Sequence, residues 1–254
     1  MPGRLSVIGI GPGDPELLTL KAVRVIRDSP VICVPKGREE GRSLALSIVE
    51  KAVDLSGKEI IEAHFPMMKT REQRSGEENV GAIYPEGTSH ELPLLDTKWD
   101  ETVSAISGKL KKGADVAFLT LGDPAIYSTF FYLYDKLLAA MPELDIEIVP
   151  GISSINASAS RLNMSLGLGN DKIAVLPANY MGDLRTILGT FDTVVLMKVN
   201  KVFNEVLGLL DGMGLVENAR CISKVGMKDE KIFEDIREIK QEELNYFSMV
   251  IVKK

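Results

Sequence analysis

Short apolar runs alternate with stretches of helical periodicity along most of the chain. Residues 4–10 (RLSVIGI) and 30–34 (PVICV) are β-type runs, and between them Leu18, Ala22, Val25 and Ile26 recur at helical spacing. Asp14-Pro15 is placed to start that helix, because Asp accepts a backbone N–H at a cap and Pro brings a preset φ to the first helical position. The pattern predicts a strand–helix–strand unit. Leu44, Ile48, Val49 and Ala52 repeat the helical spacing, and residues 59–65 form another strand-like run. Asp96 opens a helix with Trp99, Val103, Ile106 and Leu110 on one face; Lys109, Lys111 and Lys112 sit in its last turn and Gly113 ends it. Residues 115–121 follow as a strand. Strands alternating with helices predict a mostly parallel sheet covered on both faces.

Between residues 66 and 95 the periodicity stops, and Gly, Pro and charged residues dominate. A stretch this long reads either as a lid over a site or as a disordered excursion. After Asp123 a second set begins: an aromatic helix (Phe130, Tyr134, Leu137), a strand over 146–150, a small-residue helix from Ser153, and strands near Ile173, Val194, Arg220 and Met249. The adjacent runs 220–224 and 231–236 predict a hairpin. The expected fold is α/β, with two α/β domains and a cleft between them. Residues 1–122 carry the mostly parallel sheet and residues 123–254 a mixed sheet.

Composition narrows the class. The chain has 254 residues, 45% hydrophobic and 26% charged, which is an ordinary globular balance. It holds no apolar run of about 18 residues and no signal-peptide pattern at its start, so a cytoplasmic protein with no membrane segment is expected. Thirty basic against 36 acidic residues give a net charge of −6, which argues against nucleic acid as a partner. Cys33 and Cys221 lie in apolar runs and read as buried small hydrophobes rather than a disulfide or redox pair. His64 and His90 have no partners at ligand spacing, so no metal site is expected.

Three Gly/Pro turns follow strands and precede helices: Gly9-Ile10-Gly11-Pro12-Gly13-Asp14, Leu121-Gly122-Asp123-Pro124-Ala125-Ile126-Tyr127, and Pro150-Gly151-Ile152-Ser153-Ser154. The first falls short of a dinucleotide fingerprint: Asp14 stands where the third glycine belongs, and the second strand ends in Val34-Pro35-Lys36 rather than an acid. Each turn alone is compatible with ordinary turn chemistry. In a parallel sheet, however, all three can converge outside the carboxyl ends of the strands, where such sheets bind ligands.

Together with the VVLMK strand at residues 194–198, the runs GIGPGDPELLTLKA, FLTLGDPAIYST and VPGISSINASASRL resemble the tetrapyrrole (corrin/porphyrin) methyltransferase family, in order and over nearly the whole chain. The aromatic YSTFFYLYDKL run, His64-Phe65-Pro66-Met67 and the Trp99 helix are most similar to the branch that methylates carbon 20 of precorrin-2 or cobalt-factor II in cobalamin biosynthesis. The resemblance implies S-adenosylmethionine as cofactor, a tetrapyrrole substrate and a homodimer. It implies a cofactor site of Pro12, Leu121, Gly122, Asp123, Ile126, Ser153, Ser154 and Met197, with Gly11, Gly13 and Asp14 toward the substrate. Residues 1–122 would then supply the tetrapyrrole side and residues 123–254 the cofactor side.

Methyl transfer is an in-line displacement, so the catalyst has mainly to hold nucleophile and methyl together and exclude water. That suits a sequence with no evident Ser-His-Asp or Cys-His set. Tyr127, beside the second loop, is the candidate for taking up the proton lost after methylation. A substrate rich in carboxylates needs local cations, for which Lys36, Arg38 and Arg42, and Lys69, Arg71 and Arg74 in the 66–95 stretch, are candidates; a solvated mixed-charge surface is the competing reading. Rival functions are methylation at another tetrapyrrole position, a nucleotide-dependent oxidoreductase, which explains only the first glycine loop, and a non-catalytic ligand-binding protein.

Overall fold

The structure, a computed structural model, describes residues 1–37, 43–65, 92–178 and 182–254. Five strands, β1 (Leu5–Gly9), β2 (Val31–Lys36), β3 (Glu59–His64), β4 (Val116–Thr120) and β5 (Ile146–Val149), form one sheet in the order β3-β2-β4-β1-β5, with every neighbouring pair parallel. Alternate side chains serve opposite faces. Leu5, Val7, Val31, Cys33, Val116 and Phe118 enter one core with Trp99, Val103, Ile106 and Leu110 of α3 (Leu92–Lys111) and Leu133 and Leu137 of α4 (Phe131–Ala140). Ile8, Ile32, Val34, Ala117 and Leu119 enter the other with Ala22 and Ile26 of α1 (Leu20–Asp28) and Ala45, Leu46, Ile48 and Val49 of α2 (Leu44–Val49). Burial on both faces is why β1, β2 and β4 read as apolar runs.

Three local expectations are corrected. Asp14 caps only a single 3-10 turn, Pro15–Leu17, by accepting the Glu16 N–H at 2.9 Å. The helix proper starts at Leu20, capped by Thr19, whose Oγ1 accepts the Ala22 N–H at 3.1 Å. The Gly-Asp-Pro loop does not open a helix directly, because Tyr127 has a left-handed φ of 53° and the chain runs in turns until α4. The aperiodic stretch ends earlier than expected: residues 66–91 lie outside the described residues, and 92–95 belong to the first turn of α3.

The second sheet has the order β6 (Ile173–Pro177), β7 (Thr193–Met197), β10 (Ser248–Lys253), β8 (Ala219–Ser223) and β9 (Lys231–Phe233). Only β6 and β7 pair in parallel, and β8–β9 is the expected hairpin. Val194, Leu196, Cys221, Val250 and Val252 pack in one core with Leu184 and Leu188 of α6 (Leu184–Thr190) and Phe203, Val206 and Leu210 of α7 (Phe203–Gly212). The remaining helix, α5 (Ser154–Arg161), precedes this sheet in the chain.

The chain divides into two compact units, Met1–Ile152 and Ser153–Lys254, rather than after residue 122. β5 is responsible: it pairs with β1 along Leu5 to Ile8, so the crossover through α4 returns to the first sheet. Among the described residues, no helix is long and apolar enough to cross a membrane.

Candidate active site

From β1 the chain passes through α1 to β2, two places toward one edge of the first sheet; from β4 it passes through α4 to β5, two places toward the other. β1 and β4 are neighbours, and their connections leave for opposite faces of the sheet, α1 packing in one core and α4 in the other, which leaves a crevice beyond their carboxyl ends. The first two glycine loops meet there. The Ile10 N–H donates to the Thr120 carbonyl at 3.0 Å; Gly11 donates to Gly122 at 3.3 Å, and Gly122 donates back at 2.8 Å.

The third loop reaches the same point. A Cβ placed on Gly9 would lie 2.6 Å from the Gly151 nitrogen and 2.7 Å from the Gly122 oxygen, and one on Gly151 would lie 2.3 Å from that oxygen. Three loops therefore pack backbone against backbone, which only glycine permits. Gly11 and Gly122 are glycine for a second reason, φ values of 75° and 69°. Pro12 and Gly13 beside them are buried.

Asp123 ties two of the loops together. One carboxylate oxygen accepts the Ala125 N–H at 2.8 Å and the other accepts the Gly151 N–H at 3.0 Å. The carboxylate has about four acceptor positions, so these bonds leave capacity for a ligand while making Asp123 a clamp first. Downstream, the Ser128 hydroxyl sits 3.2 Å from the buried Thr120 hydroxyl and accepts the Phe130 N–H at 3.2 Å. Between these anchors Ile126 and Tyr127 are exposed.

In the second unit, Ser153 is buried and caps α5, its hydroxyl accepting the Ile155 N–H at 3.1 Å. Ser154 is partly exposed in the first turn, where backbone N–H groups lack intrahelical acceptors. Met197 ends β7, and its carbonyl accepts the Ala178 N–H at 2.7 Å. The next residue, Lys198, is left-handed at φ 59°, with its Nζ 5.3 Å from the centre of the Tyr246 ring. Tyr246 and Phe247 are both exposed, on a turn held by Asn245, whose Nδ2 donates to the Ser223 hydroxyl at 2.8 Å and whose Oδ1 accepts the Phe247 N–H at 2.8 Å. The sequence analysis carries Lys198 only as the last residue of the VVLMK run and does not single out Tyr246; the left-handed backbone at the lysine exists only in the fold.

The candidate cations fare unevenly. Lys36 is paired with Glu62 at 2.7 Å and its side chain is only 13% exposed, so its charge is largely satisfied within the protein. Arg38, Arg42, Lys69, Arg71, Arg74 and His90 lie outside the described residues. Lys36 and His64 are register partners at the carboxyl ends of β2 and β3, the same edge of the parallel sheet as the glycine loops. Asp14 commits one oxygen to its own turn. Among the described residues, no three His, Cys, Asp or Glu side chains cluster as a metal site. Cys33 and Cys221 are both buried and free of disulfides; burial pushes the Cys33 thiol far up and the Cys221 thiol up to about 12.

Comparison with known proteins places this geometry in context. Residues 4–240 match the model of the family Tetrapyrrole (Corrin/Porphyrin) Methylases. The chain is 35% identical to the probable cobalt-precorrin-2 C(20)-methyltransferase of Methanocaldococcus jannaschii, over 97% of this chain and 94% of that one. It is 32% identical to the cobalt-precorrin-2 C(20)-methyltransferase of Salmonella typhimurium, over 100% of this chain and 98% of that one. Its fold is similar to a solved uroporphyrin-III C-methyltransferase of Thermus thermophilus in complex with S-adenosylhomocysteine, with a TM-score of 0.61 at 20% identity, covering 99% of this chain and 98% of that one.

Proposed function

Because the chain belongs to the tetrapyrrole (corrin/porphyrin) methylase family, we propose that it transfers a methyl group from S-adenosylmethionine to carbon 20 of precorrin-2 or cobalt-factor II in cobalamin biosynthesis. The observation that carries this reading is a three-glycine junction at the switch point of a chain similar, from end to end, to two C(20)-methyltransferases. The junction fits the cofactor chemically: glycines carry no side chains to keep a ligand from the backbone, and a carboxylate with spare lone pairs stands among them.

When bound, the cofactor supplies an electrophilic methyl on a sulfonium, whose sulfur keeps the bonding pair as the methyl leaves. In the first unit, Pro12, Leu121, Gly122, Asp123 and Ile126 are the residues proposed to hold it. In the second, Ser153 and Ser154 present hydroxyls and first-turn N–H groups suited to a carboxylate, and Met197 offers a thioether to a flat ring. The substrate would meet Gly11, Gly13, Asp14, Lys36, Arg38, Lys69, Arg71 and Arg74. A π pair of the macrocycle forms the new carbon–carbon bond, and the methylated carbon then loses its proton, for which the Tyr127 hydroxyl is the proposed relay, its oxygen taking that proton as its own passes to solvent. The active species is proposed to be a homodimer, which light scattering at micromolar concentration checks directly.

The test is incubation with methyl-labelled S-adenosylmethionine and precorrin-2 or cobalt-factor II. One methyl added by mass and mapped to carbon 20 by NMR is the expected result. Label at another carbon would move the protein to a different position-specific branch, and no incorporation into either substrate would overturn the assignment.

A further inference from the structure

Four non-glycine residues among the described ones have left-handed backbones: Tyr127, Asn163, Lys198 and Lys224. Asparagine tolerates that conformation and lysine is unbranched and flexible, whereas a bulky aromatic there is an outlier. Burial does not repay the strain, since Tyr127 is 51% exposed, while Phe130, three residues on in the same loop, is wholly buried.

The conformation is nevertheless imposed from both sides. Upstream, Asp123 bonds the Ala125 and Gly151 N–H groups; downstream, the Ser128 hydroxyl is bonded to the Phe130 N–H and sits against the Thr120 hydroxyl. Strain that persists because the surroundings over-determine it is characteristic of binding and catalytic positions. Here it lies on the β4–α4 loop, at the switch point where that loop is bonded to the first glycine loop.

We propose that Tyr127 is a specificity residue for the tetrapyrrole: its strained, doubly anchored backbone presents an aromatic ring at the β1/β4 switch point as a stacking surface for a flat conjugated macrocycle. The proposal rests on the methyltransferase reading above, which supplies the flat substrate, and concerns the ring rather than the hydroxyl. Offset stacking of extended π systems rewards a ring already held in place, because little further freedom is lost on binding.

Three variants separate the possibilities. Tyr127→Asn removes the ring but keeps a residue type that accepts the left-handed backbone; Tyr127→Gly removes both ring and strain; Tyr127→Phe keeps the ring. The Asn and Gly variants should have a Tm no lower than the parent, a KM for the tetrapyrrole raised by about tenfold or more, and a KM for S-adenosylmethionine within about twofold of the parent. The Phe variant should keep the parent's tetrapyrrole KM to within about twofold. If the Asn variant also keeps that KM, or if Asn and Gly both lower Tm so that the ring is a fold element, the proposal is overturned. A Phe variant whose KM rises like that of Asn would overturn it too, by assigning the contact to the hydroxyl. Failure of the underlying function is distinguishable, because the parent protein would then show no methyl transfer to the tetrapyrrole at all.

Discussion

A methyl group on Gly151 would meet the Gly122 carbonyl oxygen at 2.3 Å, and no rotamer relieves a clash with backbone. Gly151→Ala is expected to cost about 2–3 kcal/mol, the scale of overpacking, or to prevent folding. Gly208 is the control: it lies within α7 with nothing within 4 Å of an added Cβ, so Gly208→Ala should stabilise by about 0.5–1 kcal/mol. Urea denaturation of both variants reads the contrast. Asp123→Ala deprives two N–H groups of their acceptor and should lower stability by about 1–3 kcal/mol, weakening S-adenosylmethionine in calorimetry as well. Asp123→Asn, which keeps one carbonyl oxygen, should fall between parent and Ala. Unchanged stability in the Ala variant would show that the clamp contributes nothing. A turn at Asp123 was legible in Gly-Asp-Pro; its bond to a nitrogen 28 positions further on was not.

At the scale of elements, the apolar periodicity located the strands but not every helix start. Leu18, Ala22 and Ile26 are buried as their spacing predicts, yet the helix begins at Leu20, because helix initiation depends on which nearby side chain captures a free N–H. Both cysteines are core residues of strands, Cys33 in β2 and Cys221 in β8. Their thiol pKa values are raised by burial, that of Cys221 to about 12, so little thiolate exists at pH 8. A thiol reagent at that pH should leave the native protein unmodified and label both residues in denaturant. Labelling of Cys33 in the native protein would mean that β2 opens at its core position.

At the scale of the molecule, acid sensitivity should be uneven between the units. Six described carboxyls are held below their usual range: Asp54 by Ser56 in the first unit, and in the second Asp183 by Thr186, Asp229 by Lys224, Asp235 by Arg237, Glu243 by Lys231, and Glu230. For Glu230 burial pushes upward, but the Arg161 guanidinium and the Gly226 N–H outweigh it. A carboxyl with a lowered folded pKa adds stability above its unfolded value, near 4, and loses it as pH falls through the folded value. The exposed pairs are individually weak. Glu230, 13% exposed and bonded to both Arg161 and Gly226, should contribute most. Hydrogen exchange at falling pH should show residues 153–254 losing protection before residues 1–152, and Glu230→Gln should narrow that gap. Earlier loss in the first unit would contradict this account.

What the sequence alone determined is the class of architecture and the three loops. Runs apolar on both faces demand a covered parallel sheet, and glycine placed after a strand marks a backbone that must turn sharply or approach another closely. The similarity of its ordered motifs to a known family was equally readable without coordinates. The tertiary structure decided which residues spend their chemistry on the protein itself. Lys36 and Asp123, both proposed ligand contacts, also bond within the protein: one is paired with Glu62 and the other clamps Gly151. It also moved the unit boundary past β5 and singled out Tyr127 and Lys198 by their backbone. The physical reason is common to all of these: strand pairing, ion pairing and left-handed strain are set by partners distant in the chain, and local spacing carries no record of them.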